Sequence, residues 1–139
     1  MQKDVLAQKI VSRMMETDYF SQWMGVNIIS AKEGYSKIQM TLRKEMLNGF
    51  AIAHGGITYS LADSALAFAS NSHGRKAVSI ETSISHKVSL MEGDVITANA
   101  VEVSLKEKIA IYNITIKKEK HVVALFKGTV YRTSKNWEI

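Results

Sequence analysis

The chain has 139 residues and a mass of 15.5 kDa, which fits a single domain, 1–139, with a core of its own. Hydrophobic residues at 46% and charged ones at 22% give the balance of a soluble globular protein, and the absence of cysteine excludes disulfides, a thiolate nucleophile and a cysteine-based metal site. The net charge of +5 is mild and its lysines and arginines are scattered, so no basic block marks a nucleic-acid partner. No run approaches the ~18–20 apolar residues of a membrane span. Residues 1–22 are amphipathic and charged rather than a secretory signal, and the expected location is cytoplasmic.

Residues 4–18 read as an amphipathic helix, with Asp4 as N-cap and Leu6, Ile10, Val11, Met14 and Met15 at three- and four-residue spacing. Phe20, Trp23 and Met24 follow, an aromatic cluster expected to dock that helix on the domain. Residues 25–31 are apolar and β-branched. After a turn at Lys32-Glu33-Gly34, Ile38, Met40 and Leu42 alternate with Lys37, Gln39, Thr41 and Arg43, the period of a half-exposed strand. The pair predicts a hairpin. Residues 48–71 then pass through His54-Gly55-Gly56 into the most continuous apolar segment of the chain, expected to end near Asn71 with Gly74 as the stop. Four strand-like segments complete the chain. In the first, Val78, Ile80 and Ile84 alternate with Ser79, Glu81, Ser83 and Ser85; the others cover 95–105, 109–117 and 122–131, separated by turns at Glu92-Gly93-Asp94 and Lys118-Glu119-Lys120. Residues 133–139 read as a polar tail.

Consecutive strands with short turns imply an antiparallel sheet, and a sheet curled around the apolar helix is the simplest way to cover it. The predicted class is therefore α+β, a hot-dog fold with one long central helix. On that helix Ile57, Leu61, Ala65, Phe68 and Ala69 share a broad face, while Tyr59, Ser60, Asp63, Ala67 and Ser70 share the remaining narrow arc. Asp63 is a lone carboxylate on an otherwise uncharged helix, where an ionised group needs a partner or a task. Gly55 and Gly56 lie at the helix start, where backbone N–H groups lack intrahelical partners and the dipole favours negative charge. Such a terminus can polarise a carbonyl. Asp63 lies about 12 Å along the axis from Gly55, eight residues at the helical rise, too far for both to act on one carbonyl within one chain. If they serve one site, two antiparallel helices must bring Asp63 of one chain to Gly55 of another, as a two-fold dimer does.

Asn48 in Leu47-Asn48-Gly49, the His54-Gly55-Gly56 triplet and the Leu61-Ala62-Asp63 helix together resemble the PaaI-type (phenylacetate-pathway) acyl-CoA thioesterases of the hot-dog superfamily. Met24-Gly25-Val26, Glu92-Gly93-Asp94 and residues 124–128 extend the resemblance over roughly 20–132. It implies hydrolysis of an acyl- or aryl-acyl-CoA to the free acid and coenzyme A, with coenzyme A part of the substrate and no separate cofactor. Asp63 would be nucleophile or general base, and the Gly55 N–H would polarise the thioester carbonyl. Asn48 would position the carbonyl or the water, and His54 would orient the loop or assist polarisation. Gly56, Tyr59 and Ser79 are candidate substrate contacts, Tyr59 and Ser79 each against a purely structural role.

The resemblance also implies a homodimer with interfacial sites, assembled as a dimer of dimers. Where many relatives carry an aromatic-Leu-Arg-Pro run, this chain has His86-Lys87-Val88-Ser89-Leu90. Arg75, Lys76, Lys87, Lys106 and Lys108 are candidates for the coenzyme A phosphates. His86 and His121 lack metal-ligand spacing, so no metal is expected. Two other readings stand beside the thioesterase. One is a hot-dog hydratase or dehydratase; the other is a non-catalytic acyl-CoA-binding protein of the same fold.

Overall fold

The computed structural model describes residues 2–139. Its core is α3 (Gly55–Asn71), held in the curl of one six-stranded antiparallel sheet. The strands are β1 (Asn27–Lys32), β2 (Tyr35–Thr41), β3 (Arg75–His86), β4 (Val95–Leu105), β5 (Ile109–Lys118) and β6 (His121–Asn136), in the spatial order β1-β2-β4-β5-β6-β3. This is the hot-dog arrangement expected from the alternation of strand and helix patterns. Ile57, Leu61, Ala65, Phe68 and Ala69 are all buried, while Tyr59, Ser60, Asp63 and Ala67 keep partial exposure on the narrow arc. Ile38, Met40 and Leu42 of the hairpin face the helix and are likewise buried.

The helix lies close to the sheet where side chains are small. Ser36 Oγ donates to the Ala65 carbonyl at 2.7 Å, tying β2 to the helix backbone. At Gly128 on β6, a Cβ would stand 2.5 Å from Leu66 Cδ2 and 2.9 Å from Cδ1, so the glycine is what lets Leu66 lie flat on the strand.

Several local expectations differ. The first 22 residues form two helices, α1 (Lys3–Thr17) and α2 (Tyr19–Met24), rather than one helix and a lead-in. Asp4 is not the N-cap: Gln2 holds that position without a side-chain bond, and the Asp4 carboxylate instead accepts from the Glu33 N–H at 3.2 Å. Asp18 caps α2 by accepting from the Ser21 N–H, and Gly25 ends it in the left-handed region at φ 76°. Because Ser21 and Met24 take the inward positions of this short helix, Phe20 and Trp23 point outward. They stay half-exposed and pack on each other, with the Arg43 guanidinium 4.9 Å above the Trp23 ring. The aromatic pair therefore does not dock α1.

Two strands depart as well. β3 is a sheet edge, and a bulge between Ser79 and Glu81 breaks its alternation, so Val78 and Ile80 are 55% and 58% exposed instead of half-buried. The polar residues after 132 continue β6 as far as Asn136, and Trp137 Nε1 donates to Asn71 Oδ1 at the end of α3. Gly74, at φ 108°, makes the turn that returns the chain from α3 to β3.

Gly128→Ala is expected to lower stability by about 1–3 kcal/mol, the usual cost of overpacking a filled core. Chemical denaturation measures it. A substitution without effect would show that Leu66 has room to move.

Candidate functional site

The N-terminus of α3 is held by its own sequence. His54 is the N-cap, and its Nδ1 accepts from the Gly56 N–H at 2.9 Å. The His54 carbonyl accepts from the Ile57 N–H at 2.9 Å, and the Gly55 carbonyl from the Thr58 hydroxyl at 3.1 Å. Both peptides around Gly55 are thus fixed, while the Gly55 N–H itself donates to no acceptor among the described residues. Gly55 lines a cleft of about 280 Å³ together with Asn48, Thr58, His86, Lys87 and Leu90.

The loop before the helix is equally determined. Asn48 Oδ1 accepts from the Phe50 N–H at 2.9 Å, and the Asn48 N–H donates to the Ile52 carbonyl at 2.8 Å. This ring leaves the Asn48 amide nitrogen for the cleft. The Ala53 and His54 N–H groups donate to Leu90 and Met46, anchoring the loop on both sides. Asn48 and Gly55 are thus brought together, whereas His54 has its Nδ1 committed to the helix cap. Gly56 contributes a bonded N–H and no cleft surface.

Asp63 lies in a second cleft, about 260 Å³, lined with Leu66, Ser70, Ala77, Val78 and Ser79. The two clefts share no residue. Ser79 lines the same cleft as Asp63. Tyr59 lines neither cleft: its hydroxyl pairs with Thr82 Oγ1 and its ring meets Phe126 edge-on at 5.3 Å. Of the basic candidates, only Lys87 borders the Gly55 cleft. Arg75 pairs with Glu107 at 2.8 Å and Lys76 lies 5.0 Å over the Trp137 ring, both beyond the other end of α3.

The Asp63 carboxyl has no hydrogen-bond partner among the described residues, and its pKa is raised from the ordinary aspartate value, first by burial and second by the Asp18 carboxylate. Asp18 owes its place to α2. Ser21 Oγ donates to Asp18 Oδ2 at 2.6 Å and lies 2.7 Å from Ser64 Oγ, which docks the α2 start beside Asp63. Neither Asp18 nor His86 stood out in the sequence as part of a site. Asp18 is readable as a helix cap, but its nearness to Asp63 depends on tertiary docking.

The family profile described as "Thioesterase superfamily" matches residues 50–125, spanning both clefts' helix. The acyl-coenzyme A thioesterase PaaI of Escherichia coli is 38% identical over 120 residues, covering 86% of this chain and 86% of that protein. The structure of E. coli PaaI, from the phenylacetic acid degradation operon, superposes with a TM-score of 0.95 at 34% identity, over 97% of this chain and 99% of the other. A Streptococcus mutans UA159 protein, smu.793, solved bound to acetyl CoA, superposes with a TM-score of 0.78 at 25% identity, over 81% and 91% of the two chains. The chain belongs to the thioesterase superfamily.

An acid whose folded pKa is raised loses stability as pH climbs from its unfolded value through the folded one, because ionisation is disfavoured in the fold. Asp63→Asn should therefore raise the melting temperature at neutral pH, and leave it unchanged below about pH 3, where the carboxyl is protonated in both states. Thermal melts at the two pH values test this. A destabilised variant at neutral pH would show instead that the carboxylate has a favourable partner.

Proposed function

We propose that the protein is an acyl-CoA thioesterase whose active site is assembled between two chains. The observation that carries the reading is the pair of groups on α3 without a hydrogen-bond partner among the described residues: the N–H of Gly55, which borders one cleft, and the carboxyl of Asp63, which lines the other. About 12 Å of helix separates them, so they are complementary only across a two-fold axis. The exposed edge strand β3, with Val78 and Ile80 outward beside the Asp63 cleft, supports a homodimer through that edge. A dimer of such dimers is the assembly we propose.

In this site the thioester carbonyl oxygen accepts from the Gly55 N–H, at the positive end of the α3 dipole. The partner chain's Asp63 takes a proton from water as that water attacks the carbonyl carbon, or attacks the carbon itself and forms an anhydride that water then opens. Collapse of the tetrahedral intermediate breaks the C–S bond. The products are the free acid and coenzyme A, whose sulfur takes up the proton. Asn48 positions the carbonyl or the water through its free amide nitrogen, and His54 holds the loop in register through its bond to Gly56. Ser79 lies beside the acid, and Lys87 is the basic residue best placed for a substrate phosphate. No cofactor beyond the substrate's own coenzyme A enters these steps. The acyl-CoA named for the E. coli relative and the acetyl CoA of the S. mutans structure support a CoA thioester as substrate. We place the enzyme in the cytoplasm, consistent with a cysteine-free chain; no helix among the described residues is long and apolar enough to cross a membrane.

Release of thiol from a panel of acyl- and aryl-acyl-CoA esters tests the activity, and the cysteine-free protein adds no thiol of its own. Asp63→Asn should reduce turnover at least about a hundredfold, in the range for loss of a general base or nucleophile. The rate of the unaltered enzyme should rise with pH through the elevated Asp63 ionisation, and Asp18→Asn, which keeps the cap, should move that limb to lower pH. Binding of CoA esters without hydrolysis would instead favour the binding-protein reading. Full activity in Asp63→Asn would remove that carboxylate from the mechanism.

A further inference from the structure

The Gly55 cleft does not stop at Lys87. Lys87 and Val88 also line a wider cleft, about 700 Å³, that continues along the turn between β5 and β6. The join is made by backbone: the Lys87 and Val88 N–H groups both donate to the Val123 carbonyl, at 2.8 and 3.2 Å, tying the segment after β3 to the start of β6. Past the join the chain reverses between the paired residues Lys118 and His121, and this whole turn lines the cleft. Its charges do not cancel. Lys118 Nζ pairs with Asp94 at 2.9 Å, whereas Lys87 and Lys120 are exposed and enter no ion pair among the described residues. Glu119 is the only carboxylate of the lining, and His121 adds an imidazole N–H. With Lys118 neutralised by Asp94, two ammonium groups face one carboxylate.

We propose that this wider cleft binds the phosphate-bearing end of coenzyme A, with Lys120 and His121 on the 3′-phosphate and Lys87 on the diphosphate nearer the thioester. The inference rests on a CoA ester as the ligand and extends that reading to the β5–β6 turn. The order of groups along the two clefts matches the order along the substrate. Gly55 and Asn48 stand at the end where the thioester carbonyl is held. Val88, 52% exposed in the shared stretch, offers apolar surface to the branched hydrocarbon part of the pantetheine arm. Lys87 lies at the join and Lys120 beyond it, since three residues of strand, about 10 Å, separate Lys120 from the Val123 carbonyl that holds Lys87. That spacing lets the two lysines take different phosphate groups. An ammonium is a mobile point charge at the far end of the ligand from the reacting carbon. Its attraction is the same in ground state and transition state, so it contributes to binding and not to the chemical step.

Calorimetric titration with coenzyme A and with 3′-dephospho-coenzyme A tests the site without relying on turnover. The unaltered protein should bind coenzyme A about fivefold tighter than the dephospho form, the scale of an exposed ion pair, and the difference should shrink in high salt. Lys120→Gln should weaken coenzyme A by about that factor and leave the dephospho form unchanged, whereas Lys87→Gln should weaken both. Glu119→Gln, which removes the opposing charge, should tighten coenzyme A. In thiol-release assays Lys120→Gln should raise KM for an acyl-CoA with kcat little changed. Equal affinity of the unaltered protein for the two ligands, no binding of either, or a Lys120→Gln protein that still prefers coenzyme A as before overturns the site. Hydrolysis that persists alongside such a result leaves the thioesterase reading standing. Phosphate-dependent binding without any hydrolysis overturns the thioesterase reading and leaves this site in place.

Discussion

The structure depends on covering one uninterrupted apolar helix. Seventeen residues of α3 carry a single charge, and the sheet wraps them closely enough that Gly128 must lack a side chain. Burying side chains such as Leu61 and Phe68 contributes about 1.5–3 kcal/mol each, so the helix cannot turn or shift to suit a ligand. The consequence for chemistry is geometric. Polar function on this helix can appear only at its open N-terminus or along the narrow arc that the sheet leaves uncovered. Gly55 takes the first position and Asp63 the second.

That rigidity also determines the quality of the site. The peptides on both sides of Gly55 are pinned, by His54 and Ile57 on one hand and Thr58 on the other, before any substrate arrives. A donor fixed in this way costs no reorganisation when charge develops on a bound oxygen. The Asp63 end is built by different means. Its carboxyl is partly buried with no hydrogen bond from the described residues to compensate, and α2 brings a second carboxylate toward it, so its ionisation is held in check. One helix thus presents a preorganised donor and an under-solvated acid in two separate clefts.

Much of this was legible in the sequence because periodicity reports local faces well. The hairpin alternation of Ile38, Met40 and Leu42, the bounds of α3 and the span of β4 all follow from patterns of two or 3.6 residues. The helix spacing alone separated Gly55 from Asp63. The failures have one physical origin: pattern identifies an apolar row and not what covers it. Val78 and Ile80 alternate as a half-buried strand should, yet they lie outward on a bulged edge. Phe20 and Trp23 look like core aromatics, but a six-residue helix bounded by Asp18 and Gly25 turns them to the surface. Asp18 and Gly25 were both readable as cap and stop; the helix between them is simply too short to show a period. His86 was invisible in another way. Its relation to Gly55 exists only because β3 runs back along α3 and delivers its last residue to the helix start.

The central claim is that a working site takes Gly55 from one chain and Asp63 from its partner. Complementation between two inactive variants tests it most directly. Asp63→Asn removes the acid, and Gly55→Val blocks the donor cleft beside the His86 ring. Each homodimer is inactive, but a mixed dimer contains one doubly defective site and one intact site. Co-expression of the two chains in equal amounts should restore about a quarter of the unaltered enzyme's activity, since random pairing gives half mixed dimers with one good site each. Activity no greater than the sum of the two variants, in a preparation shown to contain mixed dimers, would contradict the shared site and place both groups' chemistry within one chain.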